Sequence, residues 1–191
     1  MIDFHAHLGK VIHGQPPLTS EDLVRSMDRH GIERSVVLLL VAPEEEDYYY
    51  TTEQALADCA RYPDRLIPFA NMDPRRGAND GSYDFYPVLK ADKKGYPKRP
   101  VKVPGTVERL LAEYPNMYAD LSAMSAYNAL SRDLAAAKRL LETHHRKLLF
   151  GTDWFVRQQE PRVLDLVRKL GLSAAAEEAI FASNAKRLLR L

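Results

Sequence analysis

The chain has 191 residues, 46% of them hydrophobic and 28% charged, with a formal net charge of +1. That length suits one domain with a full core, and the composition is that of an ordinary globular protein. The near-neutral charge argues against a nucleic-acid partner or an anionic membrane surface, and no apolar run reaches the roughly 20 residues of a membrane span.

The first residues carry Asp and His where a secretory leader has a basic region and an apolar core. The lone Cys59 has no partner for an internal disulfide, so a reduced, cytoplasmic compartment is expected. Cys59 itself reads as a small buried hydrophobe rather than a reactive thiol.

Ile2 to Leu8 (IDFHAHL) alternates apolar and polar residues, which predicts a strand. Side chains two apart share a face, so Asp3, His5 and His7 are expected on one side and Phe4, Ala6 and Leu8 on the other. Two imidazoles about 7 Å apart along a face can both reach one ion. The alternative is that they cap a strand end and bind nothing.

A loop follows from Gly9 to Pro17, with His13 read as solvated. Thr19 or Ser20 then caps a helix with Glu21 and Asp22 in its first turn, ending near Gly31. His30, in the last turn, suits the helix dipole and reads as structural. Ser35 to Val41 (SVVLLLV) is continuously apolar, as in a strand covered on both faces. An acidic and aromatic loop spans Pro43 to Tyr50, and its three tyrosines cannot all face one core. A helix over Thr52 to Tyr62 and a third strand, Leu66 to Asn71, complete a strand-helix alternation that predicts right-handed βαβ units and a parallel sheet.

The alternation then fails. From Arg75 to Gly105 the chain is rich in Gly and Pro, with five lysines between Lys90 and Lys102. An irregular connection of about 30 residues is rare in a compact domain. The lysines read as a solvated basic loop, with an anion-binding module as the alternative. Regularity returns with a helix at Thr106 to Glu113 and a fourth strand at Met117 to Leu121, which has Asp120 and Ser122 near its end. A helix follows at Ser131 to Thr143, then a fifth strand at Lys147 to Gly151. Helices at Pro161 to Leu170 and Ser173 to Leu189 finish the chain, with Ser173 as an N-cap.

Parallel α/β folds place their chemistry at the carboxyl ends of strands. His5, His7 and Asp153 all lie at such ends, whereas His144 and His145 precede the fifth strand and fall at the opposite edge. If the first and last strands are neighbours, Asp153 arrives beside the two imidazoles. Two His and a carboxylate suit Zn²⁺ or Mn²⁺ with room for a water, which the carboxylate can deprotonate. The competing role for Asp153 is an N-cap of the next turn.

Asp3-x-His5-x-His7 and Leu148-Leu149-Phe150-Gly151-Thr152-Asp153 together resemble the metal-dependent amidohydrolase superfamily. Tyr114 to Ala123 and Asn184 to Leu189 are also similar to it, and the likeness is greatest to the aminocarboxymuconate-semialdehyde decarboxylase branch. The resemblance covers about residues 1–75 and 105–191. It implies a TIM-type (β/α) barrel, with His5, His7 and Asp153 holding a divalent metal, zinc first and manganese second. It further implies Asp153 as the proton acceptor, and a small-molecule substrate that is hydrolysed at an amide- or ester-like bond or decarboxylated.

The departure is the length. A full (β/α)₈ barrel takes about 250 residues, and only five strands are legible in this single domain, 1–191, with its irregular loop at 75–105. The family's two middle-strand histidines have no counterpart, because no His lies between His30 and His144. The expectation is therefore an incomplete TIM-barrel-like parallel sheet. Its alternative role is a non-catalytic relic serving as a scaffold, assembled as a homo-oligomer through open sheet edges.

Overall fold

The computed structural model describes residues 1–9, 15–39, 50–69, 100–101 and 105–191. His13, the stretch from Pro43 to Tyr49, and nearly all of the irregular loop with its lysines lie outside the described residues.

Five strands are present among the described residues: β1 (Ile2–Ala6), β2 (Arg34–Val37), β3 (Leu66–Pro68), β4 (Ala119–Leu121) and β5 (Leu148–Phe150). β1 pairs in parallel with β2, β2 with β3, and β4 with β5. The two sheets meet just past the strand ends. There Ala6 bridges Trp154 in parallel, His7 N–H donates to the Trp154 carbonyl at 2.7 Å, and Asp153 N–H donates to the His5 carbonyl at 2.8 Å. The spatial order is β3-β2-β1-β5-β4, so the first and last strands are neighbours, as the site requires.

The strict alternation expected for the first strand breaks at a register shift between Asp3 and Ala6. Ile2 and Phe4 pack with Leu149, Tyr118, Ala185 and Leu189, whereas Ala6 and Leu8 join the main core. The strand ends at Ala6 because His7 turns its N–H to the Trp154 carbonyl instead of β2.

The helices are α1 (Ser20–His30), α2 (Thr52–Cys59), α3 (Thr106–Glu113), α4 (Ala123–Ser131), α5 (Leu134–His144), α6 (Arg162–Lys169), α7 (Ala174–Glu178) and α8 (Asn184–Leu189). Thr19 caps α1 in a reciprocal box with Asp22, and Gly31 ends it with φ 69°. Ser173 caps α7 as expected. The sequence pattern misses α4, whose AMSAYNALS lacks a clear apolar stripe, and starts α5 three residues early. The final helix is interrupted by a π-helical turn at Ala179–Ser183.

Burial explains the rest. Trp154, Phe150, Leu141, Leu148, Leu111 and Ile180 are almost wholly enclosed between strands and helices. Cys59 is buried, and burial pushes its thiol up to about 11. His30 donates Nδ1–H to the Ser26 carbonyl (2.9 Å) and packs edge-on against Trp154. No helix among the described residues is long and apolar enough to cross a membrane.

Candidate metal centre at the carboxyl edge of the sheet

The meeting of β1 and β5 brings His5, His7 and Asp153 into one cluster, every ligand atom within 4.8 Å of the others. His5 Nε2 lies 3.1 Å from His7 Nε2. Asp153 Oδ1 stands 3.2 Å from His7 Nε2 and 3.6 Å from His5 Nε2. Ligands at about 2.0–2.1 Å from a tetrahedral zinc are themselves about 3.4 Å apart, so the three atoms have the spacing of one face of such a shell.

The other ring nitrogens explain why the Nε2 atoms face inward. His7 Nδ1 is 2.9 Å from the Leu38 carbonyl, which can only accept. Its hydrogen therefore sits on Nδ1 and its lone pair on Nε2. His5 Nδ1 lies 3.3 Å from Asp120 Oδ1 and 3.2 Å from Ser122 Oγ. Burial would lower the His5 pKa, but the hydrogen bond and charge of Asp120, with the charges of Asp153 and Asp3, outweigh it and hold it above the ordinary value. Burial likewise opposes ionisation of Asp120, yet the bonds from His5 and Ser122 hold its carboxyl below the usual range.

Asp153 is held by its backbone. Its φ of 54° is left-handed, a region Asp tolerates better than most residues. Gln159 Nε2 donates to the Asp153 carbonyl at 2.7 Å and to the Thr152 carbonyl at 3.2 Å, while Gln159 Oε1 accepts from Phe155 N–H at 3.1 Å. The N-cap role fails, because α6 begins only at Arg162, with Pro161 at the cap position.

Beneath the cluster lies Asp3, fully buried. It accepts from His5 N–H (3.0 Å), Ser35 Oγ–H (3.1 Å), Thr152 N–H (3.0 Å) and Thr152 Oγ1–H (2.8 Å). Burial pushes its carboxyl up to about 6 against these bonds. His144 and His145 sit where β5 begins, away from the cluster, with His145 Nδ1 on the Glu142 carbonyl.

A cleft of about 710 Å³ opens above Asp153 and Thr152, lined by Met124, Tyr127, Phe155 and Val163 with Ser125 and Arg162 among its polar groups. That volume is in the range of small-molecule sites.

Asp120, Ser122 and Gln159 are the neighbours of the cluster that sequence reasoning leaves without roles. The available signal was position: Asp120 and Ser122 end a parallel strand at the same edge as His5, His7 and Asp153.

A parallel β/α arc with a His-His-Asp cluster at its carboxyl edge defines a barrel-type fold. Two solved structures share the fold. One is an amidohydrolase from Burkholderia multivorans with bound zinc, 16% identical with a TM-score of 0.59. The other is a probable 2-pyrone-4,6-dicarboxylic acid hydrolase from Acinetobacter baumannii with citric acid bound, 12% identical with a TM-score of 0.53. Each alignment covers 100% of this chain and 99% of the other. No curated protein matches the sequence. Residues 103–191, which carry β4, β5 and Asp153, match the amidohydrolase family model. That match is to the amidohydrolase family at large, a level coarser than the decarboxylase-like branch expected from the sequence.

Proposed function

We propose that His5, His7 and Asp153 hold one divalent cation, zinc in preference to manganese, and that the protein hydrolyses an ester- or amide-like bond in a small molecule. One observation carries this reading. Two imidazole Nε2 atoms and a carboxylate oxygen converge within 3.1–3.6 Å, and the His7 hydrogen is committed to the Leu38 carbonyl. Such a trio is mutually repulsive without a cation or a shared proton at its centre.

The chemistry a divalent cation supplies when bound is polarisation of a carbonyl and acidification of water toward neutral pH. The chain's own residues do the rest. Asp153 turns Oδ1 to the imidazoles, while its Oδ2 has no hydrogen-bond partner among the described residues and can take a proton from an attacking water. Tyr127 and Phe155 offer apolar walls to the substrate. The two solved neighbours support hydrolysis, the name of one specifying a hydrolase of a pyrone dicarboxylic acid.

Elemental analysis of the purified protein tests the site. About one zinc per chain is expected, lost in the His5→Ala/His7→Ala double variant. Asp153→Asn, whose side chain also tolerates the left-handed backbone, is then expected to fold normally. Its turnover of a panel of small esters, lactones and amides should fall at least about 100-fold. Equal turnover in wild type and Asp153→Asn would sink the mechanism. No bound metal in either protein, even after adding zinc or manganese, would favour the scaffold role instead.

A further inference from the structure

Ser122 occupies the N-cap of α4 with extended backbone, φ −108° and ψ 171°, yet its side chain makes no capping bond. Its hydroxyl instead donates to Asp120 Oδ1, and the same oxygen lies 3.2 Å from His5 Nδ1. Because the Ser122 hydrogen is committed to Asp120, the Ser122 oxygen can only accept from His5. The carboxylate oxygen of Asp120, 3.3 Å from the same nitrogen, also only accepts. Both groups around Nδ1 are acceptors, so Nδ1 carries hydrogen and Nε2 keeps its lone pair.

The contact crosses a strand. Asp120 is on β4, which pairs with β5, and β5 stands between β4 and β1. It is possible because residue 151 has no side chain. A Cβ there would lie 2.9 Å from both His5 Cβ and Ser122 Cβ and 3.5 Å from Asp120 Oδ1. Three strands thus supply the parts of one device: the imidazole from β1, the gap after β5, and the clamp from the end of β4.

We infer that Asp120 is a positioning residue. Clamped by Ser122 and reaching across Gly151, it fixes the His5 ring with its Nε2 lone pair aimed at His7 and Asp153. The inference rests on the cation site proposed above. A purely structural role would be served by any polar contact here and would not set which nitrogen is free.

The test compares wild type, Asp120→Ala and Asp120→Asn by zinc competition against a chromophoric chelator, with circular dichroism as the check on folding. Removing an outer partner of a metal-binding histidine costs about 10–100-fold in affinity. That loss is expected for Asp120→Ala, with partial recovery in Asp120→Asn, whose amide oxygen can still accept from Nδ1. The second readout is ¹⁵N NMR of the histidine rings in metal-free protein at about pH 8.5, above the ordinary imidazole range. Wild type is expected to show His5 with hydrogen on Nδ1, and Asp120→Ala to populate the other tautomer. Unchanged zinc affinity in folded Asp120→Ala overturns the inference, as does an unchanged tautomer. If wild type binds no zinc, the cation reading fails, and the NMR comparison alone then decides whether Asp120 sets the ring.

Discussion

At the scale of single residues, the site depends on one side chain that is missing. Gly151 lets His5 and Ser122 approach to a separation that any Cβ would fill from 2.9 Å on both sides. Gly151→Ala is therefore expected to push β1 from β4, weaken zinc binding at least about 10-fold and lower stability by about 1–3 kcal/mol, the range for overpacking. Chelator competition and thermal denaturation measure the two effects. Wild-type zinc affinity in that variant would show that the strands relax around the methyl group.

At the scale of elements, capping fixes where α1 begins. Thr19 Oγ1 accepts from Asp22 N–H at 3.2 Å, and the Asp22 carboxylate takes the Thr19 hydroxyl at 2.9 Å. Thr19→Ala is expected to cost about 1 kcal/mol, read as a lower denaturation midpoint. Burial would raise the Asp22 pKa, but the bonds from Thr19 and the charge of Arg157 outweigh it and hold it below the usual 3.8. A carboxyl lowered by folding contributes stability above its unfolded pKa and loses it as pH falls through the folded value. Melting temperature should thus fall below about pH 4, with a shallower slope in Asp22→Asn. An identical slope in both proteins would remove Asp22 from the account. Asn184 does a similar job at the far end: its amide donates to the carbonyls of His145 (2.6 Å) and Leu148 (2.8 Å), tying α8 to the start of β5.

At the scale of the molecule, Asp3 joins the two sheets. Its four donors come from β1, β2 and the segment after β5, so one carboxylate spans the seam that the isolated Ala6–Trp154 bridge only begins. Asp3→Ala strands buried donors at Ser35 and Thr152. Unmade hydrogen bonds of that kind cost about 1–3 kcal/mol each, against a total stability of about 5–15 kcal/mol. A cooperative melt near the wild-type temperature would count against this seam. The arc ends at β3 and β4, each paired on one side among the described strands. Homo-oligomer formation through these edges stays a proposal, checked by sedimentation across a wide concentration range.

The sequence by itself indicated the five strands, the parallel alternation, the Ser173 cap and the three residues of the cluster, and it left the first cap open between Thr19 and Ser20, which the structure resolves as Thr19. Those features are written in local periodicity and in the His-x-His spacing of the first strand, and the barrel resemblance set their order. Tertiary structure alone decided the register shift in β1, the helix at Ala123–Ser131, and the partners of each imidazole. A strand pattern does not reveal which carbonyl will face His7, because Leu38 is 31 residues distant and reaches it only once β1 and β2 pair. Nor does it reveal that Asp120 reaches His5, since that contact spans an intervening strand and exists only where Gly151 leaves room. Local sequence encodes what one element is. The meeting of β1, β5 and β4 decides which lone pairs face each other.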